Sequence, residues 1–172
     1  MWISFFNYIN RKRLWRIPVT IQGVKFRPNS ADRFVALILH KFLPGANSFT
    51  RWISSNARSG DIVLDIGANQ GLFSIAASSV VGSNGMVHAF EPVKDLAACI
   101  SETIAINEID NIKLHKFALG AKSELLNIYK NPYNSGDNRL TTSTRNTERP
   151  LDAVHVKRLE DRKSTRLNSS HA

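Results

Sequence analysis

The chain has 172 residues, with 23 Lys and Arg against 14 Asp and Glu, a net charge of +9 and one cysteine. That length suits a single domain, a lone thiol excludes an intramolecular disulfide, and no apolar run reaches the roughly eighteen residues that a membrane span needs. No C-x-x-C pair, histidine cluster or basic stripe interleaved with aromatics marks a metal centre or a nucleic-acid surface, so neither is expected.

Residues 1–9 are rich in large apolar side chains (Trp2, Ile3, Phe5, Phe6, Tyr8), and Arg11, Lys12, Arg13 and Arg16 follow. A secretory signal has the opposite polarity, with its cations first. A helix packed on the domain, an unstructured start and a membrane-surface helix all fit this segment, so membrane association stays open. With one thiol suited to a reducing compartment, a cytoplasmic location is expected.

Val19 to Phe26 alternates about Gly23 as a hairpin would, and it is expected to form a lid-side appendage. Phe34, Leu37, Ile38 and Phe42 then mark one amphipathic helix, stopped by Pro44 and Gly45. Phe49, Trp52, Ile53 and Ala57 mark a second that begins near Ser48. Residues 1–58 are therefore read as helices and a hairpin preceding a core at 59–160.

That core opens on residues 60–74, where a strand, a glycine loop and a helix start follow in immediate succession. Ile62, Val63, Leu64 and Ile66 form an apolar run of the kind buried in a parallel sheet, interrupted by Asp65 near its end. An acid in such a strand is costly unless it is used. Gly67 permits a tight turn, and Gly71 lets the next helix, with Leu72, Ile75, Ala76 and Ser79 at helical spacing, approach closely. A dinucleotide loop reads G-x-G-x-x-G, but here Asn69 stands at the second glycine's place and the spacing is Gly67-x-x-x-Gly71. A carboxylate two residues before the first glycine also suits an ammonium group better than a pyrophosphate.

Gly85 to Pro92 is a second apolar strand ending in Glu91, which lies 24 residues after Gly67. In folds of this type an acid there holds ribose hydroxyls. A helix over 94–107 follows, with Cys99 on its apolar face beside Leu96, Ile100 and Ile104 and read as a small core residue. Residues 111–120 form a third strand, completing an alternating β/α unit. His115 alternates with lysines there, is expected to be partly exposed, and receives no role.

The line Asp65-Ile66-Gly67-Ala68-Asn69-Gln70-Gly71 resembles motif one of class I S-adenosylmethionine (SAM) methyltransferases. Its wording, with Phe90-Glu91-Pro92, is similar to the FkbM-type branch of that superfamily. The resemblance implies an α/β, Rossmann-like methyltransferase fold with SAM as cofactor. It places Asp65 near the methionine ammonium, and Gly67, Ala68, Asn69 and Gly71 beneath the methionine and ribose. Glu91, followed by Pro92, takes the ribose, and Ala118 lies by the adenine. It also implies methyl transfer to a hydroxyl of a sugar, lipid or other small molecule, with no residue here assignable as catalytic base. In the family, further strands follow the point reached at Leu159, so the resemblance implies an incomplete, cofactor-binding half. The competing readings are a dinucleotide-dependent oxidoreductase and an incomplete, inactive reading frame.

Two further strands are expected at 125–130 and 154–159, separated by a polar loop over 131–150. Within it, residues 134–138 resemble the family's substrate-side loop. The tail from Asp161 to His171 resembles the translation of a sequencing-library adapter and is set apart from the fold as 161–172. Without that tail the chain keeps 20 basic against 13 acidic residues, net +7.

Overall fold

The computed structural model describes residues 8, 11–28, 48–129, 139–141 and 150–159. The first expected helix, at Phe34 to Phe42, the polar stretch 134–138 and the tail 161–172 lie outside the described residues.

Three parallel strands, β3 (Ile62–Ile66), β4 (Met86–Phe90) and β5 (Ile112–His115), form a sheet in the order β3-β4-β5. They are joined by helices α2 (Leu72–Val81) and α3 (Lys94–Ile106), and α1 (Ser48–Asn56) leads into β3. The register sets Asp65 opposite Ala89, and Phe90 opposite both Ile66 and His115. This is one α/β, Rossmann-like half-unit, in which consecutive strands lie side by side because a helix returns each to the same end.

Side chains alternate across the strands, so the sheet has two unlike faces. Val63, Val87, Ala89, Ile112 and Leu114 pack in one cluster with Ile75, Ala77 and Val81 of α2, Ile100 of α3, and Ile53 and Ala57. On β3 the opposite alternation leaves Ile62 70% exposed, Leu64 44% and Ile66 63%. The expectation of a strand covered on both faces is thus corrected. Among the described residues β3 is the sheet's edge, and the cluster that packs on it meets the face of Val63. The buried face of α2 is also shifted from the expected one, to Ser74, Ile75, Ala77, Ser78 and Val81, with Ser79 exposed.

The hairpin is present as β1 (Val19–Ile21) and β2 (Val24–Phe26), turned by Gln22 at φ 51° and Gly23 at φ 83°. Two positive φ angles in a two-residue loop match the strands' natural twist. It is a core element rather than a lid-side appendage, because Val19, Ile21 and Phe26 are buried in the main cluster. Asn107, at the C-terminal cap of α3, fastens it by accepting from the Lys25 amide at 3.0 Å and donating to the Lys25 carbonyl at 2.8 Å.

The third expected strand divides. β5 stops at His115, and Ala118–Leu119 forms β6 in another sheet, of order β6-β9-β7-β8, with β7 Glu124–Tyr129, β8 Arg139–Thr141 and β9 Pro150–Lys157. Phe117 accounts for the break. Its ring stays with Phe90 and His115, 5.7 Å from each, while Ala118 pairs with Val156 of β9. The span expected to be a loop over 131–150 contains β8, hydrogen-bonded to β7. Ile128 and Val154 close this second sheet onto Val93 and Leu96 at the start of α3. Cys99 is buried, as its place on the apolar face leads one to expect.

Candidate functional site

The carboxyl ends of β3 and β4 converge on the loop before α2, and the backbone of that loop is held from below. The Phe90 carbonyl accepts from the amides of Gly67 at 2.9 Å and Ala68 at 3.0 Å, and the Gly71 amide donates to the Ala68 carbonyl at 2.7 Å. Three residues have positive φ, Gly67 at 84°, Asn69 at 52° and Gly71 at 83°. Asparagine tolerates the left-handed region better than most side chains, which suits it to the place a dinucleotide loop gives to glycine.

The two glycines differ in what surrounds them. A side chain at Gly67 would meet nothing within 4 Å, so the loop is open there, whereas a Cβ at Gly71 would come within 3.2 Å of Ile100 Cγ1. Gly71 therefore allows the start of α2 to close on α3, the close approach that its lack of a side chain permits. Gly67 leaves space above the strand end.

Asp65 reaches α2. The Ser74 hydroxyl donates to its Oδ2 at 2.5 Å, and the Ser74 amide donates as well. Ser74 is the third residue of the helix, whose amide has no partner within the helix, so Asp65 serves as a cap from outside it. Burial raises the Asp65 pKa above its ordinary value, and the two bonds from Ser74 oppose that shift.

Glu91, 4% exposed, accepts the Asn69 amide on Oε2 and the Val93 amide on Oε1, each at 2.8 Å. It thereby ties the glycine loop to the start of α3, while its own amide donates to the His115 carbonyl at 3.0 Å. Pro92 lies between the two bonded segments. Ala118 stands apart, 8% exposed in β6 and paired with Val156 in the other sheet. Of the sequence candidates, Asp65, Gly67, Ala68, Asn69, Gly71, Glu91 and Pro92 are brought together, and Ala118 is not among the groups bonded to the loop.

Sequence reading missed three participants. Ser74 carried a signal, being a hydroxyl residue in the first turn of the helix after a strand acid. Gln70 carried none. His115 was expected to be partly exposed, but it is buried at 4% exposure, its ring stacked on Phe90 at 4.5 Å and its Nε2 2.9 Å from Nδ1 of His88. At that distance one ring donates and the other accepts, so the pair is neutral or shares one proton.

Two side-chain oxygens of the loop are unmet. Asn69 Oδ1 and Gln70 Oε1 are buried and accept no hydrogen bond. Asp65 and Glu91 add carboxylate acceptors at the strand ends, each partly engaged by the chain's own donors. Among the described residues no three His, Cys, Asp or Glu side chains gather as metal donors, and no helix is long and apolar enough to cross a membrane.

No protein-family model matches the chain, and no curated protein matches it. Solved structures resemble parts of it. A protein-L-isoaspartate O-methyltransferase is 25% identical over 40% of this chain and 21% of its own, with a TM-score of 0.36. A SAM-dependent methyltransferase from Aquifex aeolicus is 20% identical over 43% and 42%, at 0.39. A SAM-dependent O-methyltransferase from Thermotoga maritima is 14% identical over 64% and 66%, at 0.38. The chain thus spans less than half the length of the first two. All three scores lie below 0.5, and the description of the fold as an α/β half-unit rests on its own strand order and register.

Proposed function

We propose that this chain binds S-adenosylmethionine and belongs to a methyltransferase, of the FkbM type, that methylates a hydroxyl of a small molecule, sugar or lipid. The observation that carries the reading is Glu91, a carboxylate at the end of β4 fixed against the amide of Asn69 in the glycine loop. SAM fits such a site because its ammonium and ribose hydroxyls are donors, whereas a pyrophosphate needs donors from the protein.

When bound, SAM supplies a methyl group on a sulfonium centre. The chain's own residues hold and orient it. Asp65 accepts from the ammonium, and Glu91, with lone pairs beyond those its two amide partners use, accepts from ribose hydroxyls. Gly67 leaves the loop open, and Ala68, Asn69, Gly71 and Pro92 border the same space, with Ala118 proposed beside the adenine on the family resemblance alone. Such chemistry asks the protein to align the acceptor and exclude water more than to form a covalent bond. The FkbM assignment and the small-molecule hydroxyl rest on the wording of residues 65–71 and 90–92.

Calorimetric titration of the full chain with SAM, S-adenosylhomocysteine and NAD(H) tests the reading. Saturable binding of the first two is expected, weakened roughly tenfold to a hundredfold by Glu91→Ala, the range of a hydrogen bond to a charged group. Binding of NAD(H) without SAM would overturn it in favour of an oxidoreductase.

A further inference from the structure

Residues 1–31 carry six cations, Arg11, Lys12, Arg13, Arg16, Lys25 and Arg27, and no acid, the first carboxylate of the chain being Asp32. They supply +6 of the net +9, and the other 141 residues are close to balance, with 17 basic against 14 acidic side chains. Charge gathered at one end of a chain marks that end as the part suited to an anionic partner. All six cations are exposed, so the charge is presented to solvent.

The fold gives this segment a fixed attachment. Leu14–Arg16 form a single 3₁₀ turn, and three residues later β1 begins. Val19, Ile21 and Phe26 face the core, so alternation turns Thr20, Lys25 and Arg27 outward. Lys25 pairs with Thr20 across the hairpin, and Asn107 holds both of its backbone groups. The cations of residues 11–16 therefore lead straight into an anchored hairpin that carries two more.

Charge alone would suit RNA as well as lipid. The apolar side chains set among the cations decide between them. Tyr8 is 51% exposed and Ile17 56%, and the Arg16 guanidinium lies 5.4 Å from the centre of the Trp15 ring. In the sequence, Trp2, Phe5, Phe6 and Ile9 recur at the spacing of one helix face, and Tyr8, Arg11 and Lys12 are helical. Single-stranded nucleic acid stacks its bases on aromatic rings and gains little from an aliphatic side chain. A lipid interface takes up both kinds, with Trp, Tyr and the cations at headgroup level and Ile and Phe below it.

We propose that the segment ending at Ile17, together with the outward cations Lys25 and Arg27, is a docking surface for an anionic lipid membrane. The apolar side chains enter the interface and the cations meet the headgroups. The chain lies on the membrane, since no described helix is long and apolar enough to cross it. This docking is independent of SAM binding.

Co-sedimentation of the full chain with vesicles tests it, using phosphatidylcholine alone and phosphatidylcholine with about 30% phosphatidylserine, an anionic lipid. Wild type is expected to sediment with the second and not the first. A variant combining Arg11→Gln, Lys12→Gln, Arg13→Gln and Arg16→Gln should bind at least about tenfold more weakly, since each cation near such a surface adds to the attraction. A second variant, Tyr8→Ser with Ile17→Ser, keeps every charge and should bind about threefold or more weakly, through loss of apolar area alone. Both variants should unfold at the urea concentration of wild type, because the altered side chains lie at the surface. Wild type that ignores the anionic vesicles, or that binds single-stranded RNA in their place, overturns the proposal. So does full affinity in either variant, which would show that the charges or the apolar side chains take no part.

Discussion

Asp65 is subject to two influences that move its proton in opposite directions. Burial favours the neutral acid, and the donors of Ser74 favour the carboxylate, with burial the larger. A carboxyl whose pKa is raised by folding stabilises the fold most when protonated. That contribution is fully present below the ordinary aspartate range and is lost as the pH rises through the raised value. Binding of an ammonium requires the opposite state, the carboxylate. SAM affinity is therefore expected to fall as the solution is acidified through the raised pKa, while the part of the free protein's stability that depends on Asp65 rises. In Asp65→Asn both dependences on this group should vanish, with affinity at neutral pH lower by roughly tenfold or more, since a charged acceptor is replaced by a neutral one. Titrations and urea unfolding across a pH series, wild type against variant, check both. An unchanged pH dependence of binding in the variant would place the titrating group elsewhere.

Between elements, short polar side chains do much of the fastening. Asn111 closes the end of α2, its amide donating to the carbonyls of Ser78 and Gly82, each at 2.9 Å. Those carbonyls also accept from the amides of Gly82 at 3.1 Å and Gly85 at 3.0 Å, so Asn111 adds a second donor to each. Asn107 likewise closes the end of α3, donating to the Thr103 carbonyl at 2.7 Å, and in addition pairs with both backbone groups of Lys25. The hairpin is thus joined to α3 by Asn107, by the Thr103 hydroxyl that accepts from the Arg27 amide at 3.4 Å, and by the burial of Val19, Ile21 and Phe26. Asn107→Ala should cost about 1 to 2 kcal/mol of stability, the value of the bonds lost, and should increase amide exchange at Lys25. SAM affinity is expected to change little, because the hairpin meets the end of α3 remote from Glu91. Unchanged exchange at Lys25 would show that the hairpin is seated without Asn107.

Across the whole molecule, the sheet's two faces are unequal. One is filled by α2, α3 and the hairpin. On β3 the other presents Ile62, Leu64 and Ile66, each more than two-fifths exposed, at a strand that has no neighbour on one side among the described residues. Such an edge is a template for pairing with further strands, and natural sheets commonly guard it with charge. Leu64→Lys is expected to reduce concentration-dependent association of the chain, as measured by light scattering, with about 1 kcal/mol or less of change in unfolding free energy because the side chain lies at the surface, 44% exposed. Association that persists in the variant would move its source to another surface.

How much of this was legible beforehand depended on the range of the forces involved. The glycine loop, the strand acids and the alternation of strands and helices over residues 60–115 are set by local chemistry: β-branched and aliphatic runs, positive φ at Gly67 and Gly71, and helical spacing. These could be read from the sequence. Which acid engages which donor could not be read, because Asp65 with Ser74, Glu91 with Asn69, and His88 with His115 meet only when strands lie side by side. The break after His115 and the pairing of Ala118 with β9 were likewise decided by Phe117 finding the rings of Phe90 and His115. Nor does an apolar run of the β3 type say whether one face or both will be covered, since burial is a property of neighbours. The sequence alone thus determined the loop and the chemistry it can offer. Tertiary structure decided which acceptors of that loop are already engaged and which, at Asn69 and Gln70, still lack a donor.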